Sequence, residues 1–246
     1  MNAKFKMPKF GRKLTGSGML KELVLTTLAT TISIVLTFGT AAYIEHRQKE
    51  KNRLQTTMMV LSDIYVFEKQ LEMYDSTIVT KWKDSIVELQ KLSRDSLIKL
   101  SDEEVEKFWN ALATPIMLPH DKTAENIFTS DISTWREVGN FHFIKLVSFL
   151  FTYIDDLVKN FNVQIERKTT NYQNFITNVN TNDMTDAEAL AVLLEDKEVK
   201  HFMEDFSEGF SPYYKNSIKY LDGYLKKCME LMEVSEDDLK TFVEEY

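Results

Sequence analysis

The chain has 246 residues, with 30 Lys+Arg against 38 Asp+Glu and a formal net charge of -8. It contains only 7 Gly, 4 Pro and 1 Cys, which excludes collagen-like and disulfide-stapled proteins and disfavours an all-β fold with its many turns. Hydrophobic residues make up 43% of the chain, enough to form a packed core.

Residues 1–22 are predicted to be a basic cytoplasmic tail. Apolar side chains such as Phe5 and Phe10 alternate with the basic ones, so the tail has the composition of a segment that lies on anionic lipid. A disordered basic tail fits the same pattern. The residues predicted to contact the membrane surface are Lys4, Lys6, Lys9, Arg12 and Lys13.

Residues 23–44 form a run of 22 positions without a charged side chain. A helix of that length is about 33 Å long, and the hydrocarbon core of a bilayer is about 30 Å thick. We therefore predict an uncleaved transmembrane helix. A cleaved signal peptide is the main alternative, since Thr40-Ala41-Ala42 offers small residues to a peptidase, but its apolar region is usually only about 7–15 residues long. A buried core helix is the third reading.

Basic residues on the two sides of this segment predict its orientation. The tail carries 6 of them and residues 45–53 carry 4, which favours a cytoplasmic N-terminus. Residues 45–246 are then an extracytoplasmic domain. The prediction is a single-pass protein of a bacterial inner membrane with a periplasmic C-terminal domain and the lipid bilayer as its first partner.

Hydroxyl side chains recur along one face of the predicted membrane helix, at steps of 4, 3, 4 and 3 residues. Small hydroxyl residues let two helices approach closely and bond across the contact. This pattern predicts an association stripe for a homodimer or a membrane-protein partner. The alternative is that each hydroxyl bonds to a carbonyl of its own helix. The stripe consists of Thr26, Thr30, Ser33, Thr37 and Thr40.

Charge is divided unevenly along the chain. Residues 1–53 hold 10 basic and 3 acidic side chains, a net of +7, which leaves 20 basic and 35 acidic side chains, a net of -15, for residues 54–246. An acidic domain repels phosphate groups and lacks a basic binding face. No nucleic-acid partner is predicted.

Beyond residue 44 the pattern predicts helices throughout. Apolar residues at helical spacing continue to about residue 89, with a break expected near residues 75–80. A capping box at Ser101 starts the next helix, a loop covers residues 115–121, a short helix covers 124–136, and Gly139-Asn140 forms a turn.

The C-terminal half is predicted to hold the most deeply packed helix, over residues 141–177, buried on two sides. Residues 177–185 form a loop and Thr185 begins a second capping box. A helix then runs over residues 197–232, kinked or broken near Gly209–Pro212, and Ser235 caps the last turns. The fold class is all-α: a transmembrane helix that continues into an irregular helical bundle.

Candidate metal and catalytic residues are few. Glu198, His201 and Glu204 form a single Glu-x-x-His pattern, whereas a di-iron bundle needs two, so this is a weak candidate and we predict a solvated charged face instead. His120 beside Asp121, and His142, are interpreted as surface residues rather than as an acid–base pair. The three tryptophans are assigned to the core. We predict no enzymatic activity and no cofactor.

Three features resemble an uncharacterised family of small single-pass membrane proteins of Gram-negative bacteria. They are the tail sequence KFKMPKFGRKL, the apolar segment that runs into a charged helix, and residues 123–157 with their Gly-Asn turn. The resemblance implies an extracytoplasmic helical domain and supplies no activity or catalytic residue. The predicted function is a non-enzymatic interaction or structural component of the cell envelope; the alternative is a ligand-binding sensor bundle that signals through a membrane partner.

Overall fold

The computed structural model describes residues 16–130, 135, 136 and 138–245, with the side chains of residues 16–26 and 29 left out. No β-strand occurs in these residues, so the all-α prediction is confirmed. The chain divides into two units, Met1–Asn52 and Arg53–Tyr246. Helix α1 contributes residues 16–52 to the first unit and 53–74 to the second.

The helices of the described residues follow one another with short connections. In chain order they are α1 (Gly16–Tyr74), π1 (Asp75–Val79, a π-helical turn), α2 (Thr80–Leu89), α3 (Arg94–Leu97), α4 (Asp102–Ala113), α5 (Thr123–Ser130), α6 (Phe141–Asn178), α7 (Asp186–Leu193), α8 (Lys197–Glu204), π2 (Asp205–Phe210, also π-helical), α9 (Ser211–Met232) and α10 (Glu236–Glu245).

Local capping chemistry sets the start of several helices where the sequence predicts it. Ser101 and Thr185 each accept a bond from the backbone three residues on, while Glu104 and Glu188 accept one from the cap backbone. Each pair satisfies two backbone N–H groups that a helix start leaves unbonded. Gly139 adopts a φ of 68°, which only glycine reaches without strain, and this turn precedes α6.

The two predicted interruptions are π-helical turns rather than breaks. π1 covers residues 75–79 and π2 ends immediately before Ser211, with Pro212 in the first turn of α9. A π turn adds one residue to the helix, and the first turn of a helix tolerates proline because its N–H needs no partner there.

Helix α6 packs against α4, α8 and α9 in the second unit, but a larger share of α7 is buried, so α6 is not the most deeply packed helix that the sequence predicts. Its buried residues recur at helical spacing along one broad side, not on the two sides predicted, because the positions opposite them are exposed. They include eight that are at most 8% exposed: Phe143, Ile144, Val147, Leu150, Phe151, Ile154, Leu157 and Phe161. Around Phe161 lie the rings of Phe210 and Tyr214, with centroids 5.9 and 5.7 Å away. The Tyr214 hydroxyl donates to the Leu71 carbonyl at 3.3 Å, which ties α9 to α1 within this unit.

Among the helices whose side chains are described, none combines the length and the apolar character that crossing a membrane requires. The predicted segment 23–44 lies partly outside that description, because the side chains at 23–26 and 29 are left out. From residue 30 to residue 44, every described side chain is exposed.

One charged side chain lies inside the core against an aromatic ring. Lys168 on α6 is 1% exposed, and its ammonium lies 3.1 Å from the centroid of the Trp82 ring on α2. It donates to the Asn110 carbonyl of α4 at 3.4 Å. Burial lowers the pKa of Lys168 to about 7. The charged form is therefore disfavoured in the folded chain, although the ring attracts it.

We predict that Lys168→Met stabilises the chain at low pH. The fall in pKa from 10.5 to about 7 corresponds to about 5 kcal/mol against the charged form, and cation–π attraction offsets about 2 kcal/mol. The gain at pH 6 is then about 1–4 kcal/mol. Between pH 7 and pH 10.5 the unfolded chain binds the extra proton, so wild-type stability rises with pH and the difference between the two proteins shrinks.

Urea unfolding of the full chain at pH 6, 7.5 and 9 measures this difference. Lys159→Met is the matched control, because Lys159 is exposed on the same helix. The control should shift stability by less than about 0.5 kcal/mol at every pH. A Lys168→Met protein that is less stable than wild type at pH 6 would show that the contacts of the ammonium outweigh its burial.

Candidate functional site

A buried histidine lies where four elements of the second unit meet. His120 comes from the connection between α4 and α5, Glu125 from α5 and Asp155 from α6. The His120 ring packs against Phe67 of α1, with centroids 5.0 Å apart in a T-shaped arrangement. We call His120, Glu125 and Asp155 the His120 cluster.

The connection that carries His120 is held at both ends. The Leu118 backbone N–H donates to Asn162 Oδ1 at 3.1 Å, and Leu118 is 2% exposed. On the other side Asp121 Oδ1 accepts from the Thr123 backbone and hydroxyl at 2.8 and 2.7 Å, which forms a turn immediately before α5. Proline at position 119 prevents helix through this stretch. The backbone around His120 is therefore fixed on both sides.

The imidazole faces both carboxylates at a distance too long for a hydrogen bond. His120 Nε2 lies 3.8 Å from Glu125 Oε2 and 3.8 Å from Asp155 Oδ1. The His120 side chain is only 5% exposed. Its Nε2 and the Glu125 Oε2 are buried and have no hydrogen-bond partner. A buried polar atom without a partner costs free energy, so this arrangement is unusual in a folded chain.

One lysine neutralises part of the acidic charge. Lys122 Nζ lies 2.5 Å from Asp155 Oδ2 and 3.9 Å from Glu125 Oε2. Burial lowers the pKa of His120, and the charges of Asp155 and Glu125 oppose that effect without reversing it. His120 is therefore mainly neutral at pH 7, with a lone pair available on one ring nitrogen.

A further carboxylate lies close to the cluster. Burial, and then the charges of Asp121 and Glu125, raise the pKa of Asp63 on α1 to about 6. Its Oδ2 is buried without a hydrogen-bond partner. Asp63 also lines a small apolar groove with Val66 and Ile127. The region consequently holds more negative charge than Lys122 can balance.

The structure corrects the interpretation of His120 as a surface residue and agrees with the same interpretation of His142. His120 is not a surface residue: the packing of Phe67 and the fold of residues 114–122 bury it. His142 is exposed, as predicted. Sequence reasoning missed Glu125 and Asp155, because their approach to His120 depends on tertiary packing.

The residues of the Glu-x-x-His pattern, Glu198, His201 and Glu204, lie on the surface. Glu198 and Glu204 are exposed, and the His201 side chain is 60% exposed. His201 Nε2 lies 3.6 Å from Asp205 Oδ2, which also accepts from Arg167 Nη1 at 2.9 Å. Within the described residues, His120, Glu125 and Asp155 are the group whose ligand atoms come within 4.8 Å of one another.

In the predicted association stripe, two hydroxyls bond to their own helix. Thr37 Oγ1 donates to the Ser33 carbonyl at 2.7 Å, and Thr40 Oγ1 to the Leu36 carbonyl at 2.7 Å. Thr30 and Ser33 are exposed. Thr26 lies outside the side chains that the structure describes, and the predicted lipid-contact residues Lys4, Lys6, Lys9, Arg12 and Lys13 lie outside the described residues. Association through the stripe stays a prediction.

The tryptophans are core residues, as predicted: Trp82 is buried, while Trp109 and Trp135 pack partly buried against the core. Other aromatic side chains form a surface across α6 and α9. Phe149 lies 5.1 Å from Tyr224 and 6.1 Å from Tyr153, and Tyr224 lies 6.3 Å from Tyr220, all between ring centroids. We call these four residues the aromatic surface.

A cleft of about 710 Å³ lies beside α2, α3, α7 and α8. Its apolar wall includes Leu89, Leu97 and Met203, and an ion pair between Arg94 and Glu195 lies at its polar side. Its size is within the range of small-molecule sites.

No known protein family matches the chain, and neither curated proteins nor solved structures show significant similarity to it. The resemblance to a family of bacterial membrane proteins stays a prediction.

We predict that His120→Phe leaves stability unchanged within about 1 kcal/mol or raises it, because the variant keeps a ring against Phe67 and removes an unbonded nitrogen. His120→Ala should cost about 2–4 kcal/mol, since it leaves a cavity. Denaturant unfolding in the presence of a chelator measures both without a contribution from bound cations. Equal losses in the two variants would show that the imidazole nitrogens make stabilising bonds.

Proposed function

We propose that this chain is a non-enzymatic, single-pass protein of a bacterial inner membrane. Residues 23–44 anchor it, residues 1–22 lie in the cytoplasm, and the helical domain, 45–246, docks a protein component of the envelope on the periplasmic side. Contact of the basic tail with anionic lipid belongs to the same proposal.

The observation that carries the proposal is the apolar surface of α1 in the first unit. Large apolar side chains there are at least half exposed, and they lie on several sides of the helix. Exposed large apolar side chains in such number mark a surface that a membrane or a partner covers. The side chains are Leu28, Ile32, Ile34, Val35, Leu36, Phe38 and Ile44.

The aromatic surface supports the docking role of the second unit. Tyr220 is 62% exposed and Phe149 is 45% exposed, although both belong to a cluster of touching rings. Tyrosine and phenylalanine are enriched in protein interfaces, and grouped exposed rings on a soluble surface mark such sites. Lys227 lies over the Tyr224 ring at 4.8 Å and gives the surface a basic edge.

A ligand-binding sensor bundle is the second candidate, favoured by the cleft beside α2, α3, α7 and α8. Apolar residues form one wall, and Arg94, Lys200 and Glu204 supply charges of both signs. Such a cleft suits a small amphiphilic molecule. A sensor of this kind would signal through a membrane partner of the anchor.

The anchor is tested with Ile34→Lys/Val35→Lys and the matched control Ile34→Ala/Val35→Ala. Each lysine at the centre of a membrane helix costs about 2.5–3.5 kcal/mol, so the lysine pair should release the chain from carbonate-washed membranes. The alanine pair should be retained like wild type. Immunoblots of membrane and soluble fractions give the result.

Two results would overturn the anchor: a freely soluble wild-type product that begins just after Ala42, or retention of the lysine variant. The same cells report the orientation. Protease added to spheroplasts should degrade the helical domain; a protected domain would place it in the cytoplasm.

Docking is tested by photo-crosslinking in cells. A photoreactive residue at Tyr220 should give a discrete protein adduct, and Phe149→Ser should reduce its yield because it removes a neighbouring ring of the aromatic surface. Asp183, exposed in the connection between α6 and α7, is the control position. The same adducts from both positions, or none from Tyr220, would count against docking here and favour the sensor.

A further inference from the structure

The His120 cluster has the donor set of a metal site. One imidazole nitrogen and two carboxylate oxygens lie within 4.8 Å of one another. They come from three separate elements of the second unit, the connection after α4, helix α5 and helix α6. Ligands on separate elements are typical of sites at which a cation holds a fold together.

A second, independent observation points to a ligand. The His120 side chain is 5% exposed, and its Nε2 faces the two carboxylates without a hydrogen-bond partner. Glu125 Oε2 is also buried without one. Native chains leave few buried polar atoms unbonded, and a bound ion is one of the recognised explanations. A cation between the three groups would satisfy both atoms at once.

The excess of negative charge around the His120 cluster favours the binding of a doubly charged cation. Lys122 pairs with Asp155 through Oδ2 at 2.5 Å, which leaves Oδ1 directed at His120. One lysine faces two cluster carboxylates, with Asp121 and Asp63 nearby. The ammonium therefore neutralises one carboxylate and orients it, while the remaining negative charge stays available to a metal ion.

We propose that His120, Glu125 and Asp155 bind Zn²⁺. An imidazole ligand disfavours Mg²⁺ and Ca²⁺, which prefer oxygen, and a nitrogen with two carboxylate oxygens suits zinc. Ligand atoms around tetrahedral zinc are about 3.4 Å apart, so the two 3.8 Å separations from His120 need to close by only about 0.4 Å. The two carboxylate oxygens lie within 4.8 Å of each other and are brought together by the same ion. Three protein ligands leave a fourth position for water.

Bound zinc would fasten the connection after α4 to α5 and α6. This role is independent of the membrane anchor and of docking through the aromatic surface. It predicts that the chain is more stable with zinc than without it, because the ion binds the folded arrangement and not the separated ligands.

The test uses the full chain, purified in mild detergent and stripped with a chelator. Titration with Zn²⁺ should show one site, and Co²⁺ should give the visible absorption of a four- or five-coordinate ion. His120→Gln and Asp155→Asn should weaken binding by at least about 100-fold, more than the loss of an outer partner does. His201→Gln is the matched control and should bind like wild type, since His201 belongs to the other histidine–carboxylate group.

Circular dichroism of the metal-free variants establishes that they are folded. If His120→Gln does not fold, Asp155→Asn carries the test, because Asp155 is more exposed than His120. X-ray absorption of the zinc protein should show nitrogen and oxygen neighbours. The proposal is overturned if the chain shows no stoichiometric zinc site, or if zinc binding survives both ligand substitutions. It is also overturned if only His201→Gln loses zinc binding. A sulfur neighbour would overturn it too, because it would assign the ion to Cys228.

Discussion

Burial of one broad side of α6 against α4, α8 and α9 is the constraint on which the second unit depends. Residues on this buried side, or at its edge, lie close to the neighbouring helices even when they are polar. Asp155, Lys168 and Phe149 all lie on this helix. The candidate metal site, the buried lysine and the aromatic surface are therefore three consequences of the same packing.

Two buried basic side chains, Lys168 and His120, differ in the contacts that their nitrogen atoms make. Lys168 has the Trp82 ring and the Asn110 carbonyl, and burial lowers its pKa toward neutrality. The Lys168 ammonium thus has both of these contacts within the core. His120 faces two carboxylates that stand too far away to bond with it. A lysine in this setting is explained by packing alone, whereas the histidine is explained only when a further atom lies among the three groups.

Local features of this chain were predictable from sequence and tertiary ones were not. The capping boxes at Ser101 and Thr185 involve residues three apart, so their spacing alone reveals them. The interruption before Pro212 follows from the missing N–H of proline, although the pattern does not distinguish a kink from a π turn. The burial of His120 depends on Phe67, 53 positions earlier in the sequence, and no periodicity encodes that contact.

The division of charge gives the proposed anchor a physical role beyond attachment. Residues 54–246 carry a net charge of -15, from 20 basic and 35 acidic side chains, and anionic lipid repels such a domain. Electrostatics alone would keep it away from the membrane. In the proposed arrangement the anchor keeps the domain near a lipid surface that repels its net charge. The exposed rings of α6 and α9 then stay accessible to a partner rather than burying themselves in the headgroup region, where tyrosine would otherwise be stable.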